Sequence, residues 1–219
     1  MRIFIQTLTL FATLALALHA EEKTITADER AHVIKLLKDS QKEYLDALEG
    51  LTAAQWSFKA GPDRWSIGET AEHIMLAEGL LFGQVQQAMA SPANPDWEKK
   101  TAGKTAFLER VMVDRSHKAV APETIRPRGL PRDEVIRRYR EVRAKTLAFA
   151  EETNAPLKEH TTEHPFPVFN TLNAYQWLLY IPLHNMRHDQ HAPRSANRGS
   201  EDQRWLPEEV MSGAVSRWC

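Results

Sequence analysis

The residues best suited to chemistry in this sequence are His184 and His188, four positions apart in "HNMRH". At that spacing two imidazoles stand on one helix face a turn apart, where their ring nitrogens can converge on one metal ion. The apolar run "WLLYIPL" leads directly into the pair, so the helix approaches it from a core rather than from solvent. A third ligand has to come from another helix. His73 is the candidate, between Ala71 and Ile74; the plain alternative is a core-edge histidine satisfied by a hydrogen-bond acceptor. Glu69, four residues earlier on the same face, is placed to accept the second N–H of His73 and fix its tautomer. It also completes a capping box with Ser66, and one carboxylate does not comfortably serve both ends. His191 reaches the face of His188 unless Pro193 stops the helix first. His32, His117, His160 and His164 read as solvated, Arg187 and Asp189 as solvent-facing, and Trp56, Trp65 and Trp177 as core or loop anchors.

Four long helices are predicted to position these groups. The first opens at a Thr26/Glu29 capping box, carries Val33, Leu36, Leu37, Tyr44, Leu45 and Leu48 at helical spacing, and stops at Gly50. The second opens at Ser66/Glu69, turns Ile67, Ala71, Ile74, Ala77, Leu81 and Val85 inward, and ends near Ser91-Pro92. A polar, proline-bearing stretch from 91 to 128 follows, with a short helix near Ala106–Val113. It exceeds an ordinary connection and reads as a crossover that also covers a site. The third helix has Pro131 at its first turn and Val135, Tyr139, Val142, Leu147 and Phe149 on its core side. The fourth is "AYQWLLYIPLHNMRHDQH", where Pro182 predicts a kink about a turn before His184. No strand alternation stands out. The expected fold class is all-α, a four-helix bundle with a long crossover between helices 2 and 3; a three-helix core with a loose fourth element is the alternative.

The 219 residues suffice for one domain, and 28 Lys+Arg against 29 Asp+Glu give nothing for a nucleic-acid partner to grip. Residues 1–20, "MRIFIQTLTLFATLALALHA", read as a signal peptide: Arg2, an apolar stretch and a closing Ala20. The apolar run is short of the ~20 residues a transmembrane helix needs, so no stable membrane insertion is expected after cleavage; an uncleaved anchor is the alternative. The expected location is periplasmic or secreted. Cys219 is the only cysteine, so no internal disulfide forms and packing must hold the core.

The pattern "W-S-x-G-E-x-x-x-H", here "WSIGETAEH" at 65–73, followed late in the last helix by "H-x-x-R-H", here "HNMRH" at 184–188, resembles the DinB-like metal-binding superfamily. The resemblance spans roughly residues 28–191. It implies a four-helix bundle with a long crossover and three histidine ligands, His73, His184 and His188, for a divalent metal, zinc or nickel foremost. Iron, manganese and copper are the other options the donor set allows. Three imidazoles leave a coordination position open, the mark of a reactive rather than a closed structural site. The resemblance departs at His191, where family members usually carry glutamine and continue "I-x-E-V". The domain is therefore placed at 21–192, with 193–219 a divergent tail or the product of a frameshift. Three functions remain: a metal-dependent hydrolase using activated water, with Glu69 or another carboxylate assisting; a thiol S-transferase of the bacillithiol or mycothiol type; and a binder of metal or small ligands without turnover. The signal peptide counts against the second, because such thiols are mainly cytosolic. The substrate is an unidentified small molecule, no side chain declares itself a catalytic base, and a homodimer is compatible with the sequence.

Overall fold

A computed structural model describes residues 23–114 and 120–189. The expected signal segment, His117, His191, Cys219 and the divergent tail lie outside the described residues. Among the described residues no helix is long and apolar enough to cross a membrane.

Four long helices form the body: α1 (Ala27–Leu48), α3 (Ile67–Ala90), α6 (Arg132–Glu152) and α7 (Ala174–Asp189). Short helices α2 (Ala53–Ser57), α4 (Trp97–Thr101) and α5 (Lys104–Val113), and a 3-10 turn at Glu123–Ile125, fill the connections. A strand pair, β1 (Thr161–Glu163) and β2 (Thr171–Asn173), precedes α7. α1 and α3 each pack against both α6 and α7, and α5 lies on α7. The fourth helix is thus an integral wall of the bundle.

The local signals act as their chemistry requires. Thr26/Glu29 and Ser66/Glu69 form reciprocal capping boxes at the starts of α1 and α3, satisfying backbone donors that have no partner inside the helix. Gly50, with φ of 71°, takes the left-handed turn just past the end of α1. Neither α1 nor α6 has a basic residue in its last turn. Each borrows one from the other. Arg30 of α1 donates to the carbonyls of Ala150 at 2.6 Å and Thr153 at 2.5 Å, while Arg132 of α6 donates to those of Leu48 and, at 2.6 Å, Leu51. The two helices therefore run antiparallel. α3 and α6 run the same way, since Glu72 meets residues 128–130 and Glu78 meets Arg143. Parallel neighbours need a long connection, and the 91–131 crossover supplies it.

Two apolar clusters fill the interior. One holds Tyr44, Leu48, Ala71, Ile74, Met75, Val135 and Tyr139; the other is built around Val33, Leu37, Val85, Leu108, Trp177 and Leu178. Each fully buried aliphatic side chain contributes about 1.5–3 kcal/mol. Between the clusters lies a polar layer. Arg143, fully buried, grips both carboxylate oxygens of Glu78 at 2.6 Å and also donates to Ser40 Oγ at 3.0 Å and to the Leu37 carbonyl. Asn185 of α7 joins through Nδ2, 3.2 Å from the Tyr139 hydroxyl.

This layer corrects the expected face of the third helix. Val135 and Tyr139 are buried as predicted, but the stripe continues through Arg143, Thr146 and Ala150, while Val142, Leu147 and Phe149 are only half-buried. An apolar period cannot register an arginine as core. The antiparallel pairing of Thr161–Glu163 with Thr171–Asn173 is likewise an addition to the all-helical expectation; three-residue strands are too short to show a period of two. α7 keeps its helical pattern through Pro182.

Gly68 has a steric reason. A Cβ there would stand 2.4 Å from Trp56 Nε1, because the indole of α2 lies on the first turn of α3. Gly68→Ala is expected to displace that ring and lower stability by about 1–3 kcal/mol, as overpacking does. A chemical-denaturation midpoint equal to wild type would show that the ring moves at no cost.

Candidate metal centre

His73 sits in the second turn of α3, and His184 and His188 lie one turn apart near the end of α7. Their available ligand atoms all lie within 4.8 Å of one another. Ring centroids are 5.1 Å apart for His73 and His184, 4.8 Å for His73 and His188, and 4.7 Å for His184 and His188. The three predicted imidazoles thus gather at one point from two antiparallel helices.

His73 is 2% exposed, and its Nδ1 lies 2.9 Å from the Ile125 carbonyl oxygen. A carbonyl only accepts, so Nδ1 carries the proton and Nε2 keeps its lone pair. The tautomer is set by the crossover backbone rather than by Glu69. Glu69 instead accepts from the Ser66 backbone N–H at 2.8 Å and pairs with Lys59 at 2.7 Å. The cap competes for this carboxylate, and the cap holds it. Burial, partly offset by the Ile125 hydrogen bond, lowers the pKa of His73. Burial lowers that of His184 well below its ordinary value, helped by the charges of His73 and Arg187. Both imidazoles are therefore neutral at pH 7, the form in which a histidine ligates.

His184 is half-buried as a residue, yet its Nδ1 is buried and has no hydrogen-bond partner. Burying a polar atom unmet is costly, and a cation among three imidazoles is the kind of partner that removes the cost. The donor set fits a divalent metal ion. The Trp65 ring, 4.9 Å from that of His73, packs beside it. Tyr180 lies behind His184, rings near parallel at 20° and 6.4 Å apart.

Other residues fall differently from expectation. Arg187 does not point to solvent; it donates to the Met112 carbonyl at 3.2 Å and to that of Asp114, closing the end of α5. His164 is not solvated. It is 9% exposed, stacked on Trp177 at 4.8 Å, and burial lowers its pKa to about 4. His160 is half-buried against the Ser91 carbonyl, whereas His32 is exposed beside Glu109. Trp177 is the core anchor expected of it.

Sequence reasoning passed over Glu72, next to His73. Its carboxylate is 1% exposed and accepts from three successive backbone N–H groups: Arg128 at 2.9 Å, Gly129 at 2.8 Å and Leu130 at 3.1 Å. Only its adjacency to a candidate ligand in an apolar segment hinted at a role.

Residues 36–192 match the model of the DinB superfamily. A curated relative, the uncharacterized protein YuaE of Bacillus subtilis (strain 168), is 29% identical over 163 residues, covering 71% of this chain and 91% of its own. A solved structure, YfiT from Bacillus subtilis, is described as a probable metal-dependent hydrolase with an unusual four-helix bundle topology. It covers 77% of this chain and 86% of its own at 12% identity and a TM-score of 0.47, a likeness too slight to argue from.

Proposed function

We propose that this chain, which belongs to the DinB superfamily, is an exported metal-dependent hydrolase acting on a small molecule, with His73, His184 and His188 as ligands. One observation carries the reading: a ligand atom from each of three imidazoles lies within 4.8 Å of the others, drawn from helices far apart in sequence. A divalent ion held there supplies Lewis acidity that makes water or a thiol a nucleophile near neutral pH. The chain's part is to present neutral imidazoles. Ile125 fixes the proton of His73 on Nδ1, the ring of Trp65 packs against it, and burial keeps protons off His73 and His184.

A second reading, thiol S-transfer, is favoured by where the carboxylates of α3 are spent. Glu69 is committed to Ser66 and Lys59, Glu72 to the crossover amides, and Glu78 to Arg143. A thiol, with a pKa near 8.5, needs less help from a base than water does. Export argues the other way. N-terminal sequencing of protein recovered from the cell envelope is expected to begin at Glu21; Met1 there would mean an uncleaved anchor, and recovery of the protein from the cytosol alone would overturn the export reading.

The test of the site is metal content. Purified wild type is expected to retain about one divalent ion per chain, as a single three-histidine centre requires, and a His73→Ala, His184→Ala double variant none. Equal metal in the two proteins would remove the assignment. Metal-dependent turnover of an ester or amide panel, against thiol consumption with an electrophile, then separates the two chemistries; metal without either turnover leaves a binding module.

A further inference from the structure

We infer that Glu72 is a positioning residue for the metal centre, holding the crossover so that its backbone fixes His73. The inference rests on the metal-site reading above and adds to it a part of the chain that contributes no ligand. Adjacent residues of α3 grip one short segment in two ways. The Glu72 carboxylate takes the N–H groups of residues 128–130, and the His73 imidazole donates to the Ile125 carbonyl three residues earlier. The His73 contact is buried, His73 being 2% exposed and Ile125 7%; that of Glu72, itself 1% exposed, reaches out to a part-buried segment.

The segment is shaped to be held this way. Glu123–Ile125 forms a 3-10 turn that rests on α3. Gly129 has φ of 83°, a conformation that side-chain-bearing residues resist, which turns its N–H and those on either side toward one carboxylate. Three backbone donors on its two oxygens commit the Glu72 carboxylate to the crossover. The carboxylate also stands just ahead of α6, where the positive end of that helix favours it.

The consequence is a coupling. If the carboxylate's hold is lost, the Ile125 carbonyl is no longer fixed and the proton of His73 is free to move to the nitrogen that ligates. Metal affinity then falls, although no ligand has been touched. By reciprocity the metal, once bound, tightens the crossover.

The experiment uses the full chain, with zinc affinity measured by competition against a chromophoric chelator and the spectrum of the cobalt(II)-loaded protein as a second readout. Glu72→Gln is expected to weaken zinc binding about 10- to 100-fold, as loss of an outer partner of a ligating histidine does, and to change the cobalt absorption. Gly129→Ala, which disturbs the segment from its far side and leaves α3 intact, is expected to act in the same direction by a smaller factor. Amide exchange at residues 128–130 should slow on zinc addition in wild type and stay fast in Glu72→Gln. Wild-type zinc affinity and cobalt spectrum in a folded Glu72→Gln, whatever its melting temperature, would overturn the inference and leave the metal site standing. Wild type that binds no zinc fails the underlying reading instead.

Discussion

Glu78→Ala lowers the stability of the folded chain by about 3–5 kcal/mol, and Arg143→Ala does the same, because each strands a buried charge whose partner is gone. Both side chains are fully buried, and the pair is bidentate at 2.6 Å. Removing Glu78 takes away the carboxylate that holds two of the guanidinium's nitrogens and leaves it, among others, the uncharged acceptors Leu37 carbonyl and Ser40 Oγ. Removing Arg143 leaves a carboxylate with only the Asn185 amide, at 3.4 Å. The pair as a whole is a different matter. Taking two ions out of water costs about as much as their attraction returns, so Glu78→Leu with Arg143→Met is expected to lie near wild type or above it. Urea midpoints of the four proteins form the cycle that decides this. Single variants within about 1 kcal/mol of wild type would mean that water reaches the layer and screens it.

The same layer shows where sequence and structure part company. The apolar periods of α1 and α3 were legible because their buried faces are mostly hydrocarbon, and Val33, Leu37, Ile74 and Leu81 lie where the spacing puts them. On α6 the buried face passes through Arg143 and Thr146, and no hydropathy pattern assigns an arginine to a core unless its partner, 65 residues away in Glu78, is already known. The "WSIGETAEH" motif was legible as a pattern before its physics was. Trp65 packs on His73, Ser66 and Glu69 cap the helix, Gly68 makes room for Trp56, and His73 faces the centre. The partner that sets the tautomer of His73 was not legible, because it is a backbone carbonyl and every residue has one. His164 misled for a related reason. The residues just before it, Thr161 to Glu163, are polar, but its spatial neighbours Trp177 and Tyr180 arrive from α7.

His164 also makes the fold sensitive to acid. In the unfolded chain its imidazole takes a proton near pH 6.5; in the folded chain burial delays that to about 4. The folded pKa is the lower one, so the contribution to stability is present in full above about pH 6.5 and is lost as pH falls toward 4. At about 1.4 kcal/mol per pKa unit the interval is worth roughly 3 kcal/mol. His73 and His184 are shifted in the same direction by burial and add to the loss on acidification. Zinc deepens it, since a bound ion holds two of these rings neutral and must leave before they can be protonated. Denaturation midpoints of the metal-free protein should therefore fall steeply between pH 6.5 and 4.5. His164→Asn isolates one contributor: the amide oxygen keeps an acceptor for the Phe166 N–H, which lies 2.9 Å from Nδ1 in wild type, but cannot be charged. The variant is expected to be the weaker protein at pH 7.5, where the stacking on Trp177 is lost, and to close on wild type as the pH drops. Parallel curves across that range would show that His164 takes up its proton in the folded state as readily as in the unfolded one, and that its place in the aromatic cluster opens to water without cost.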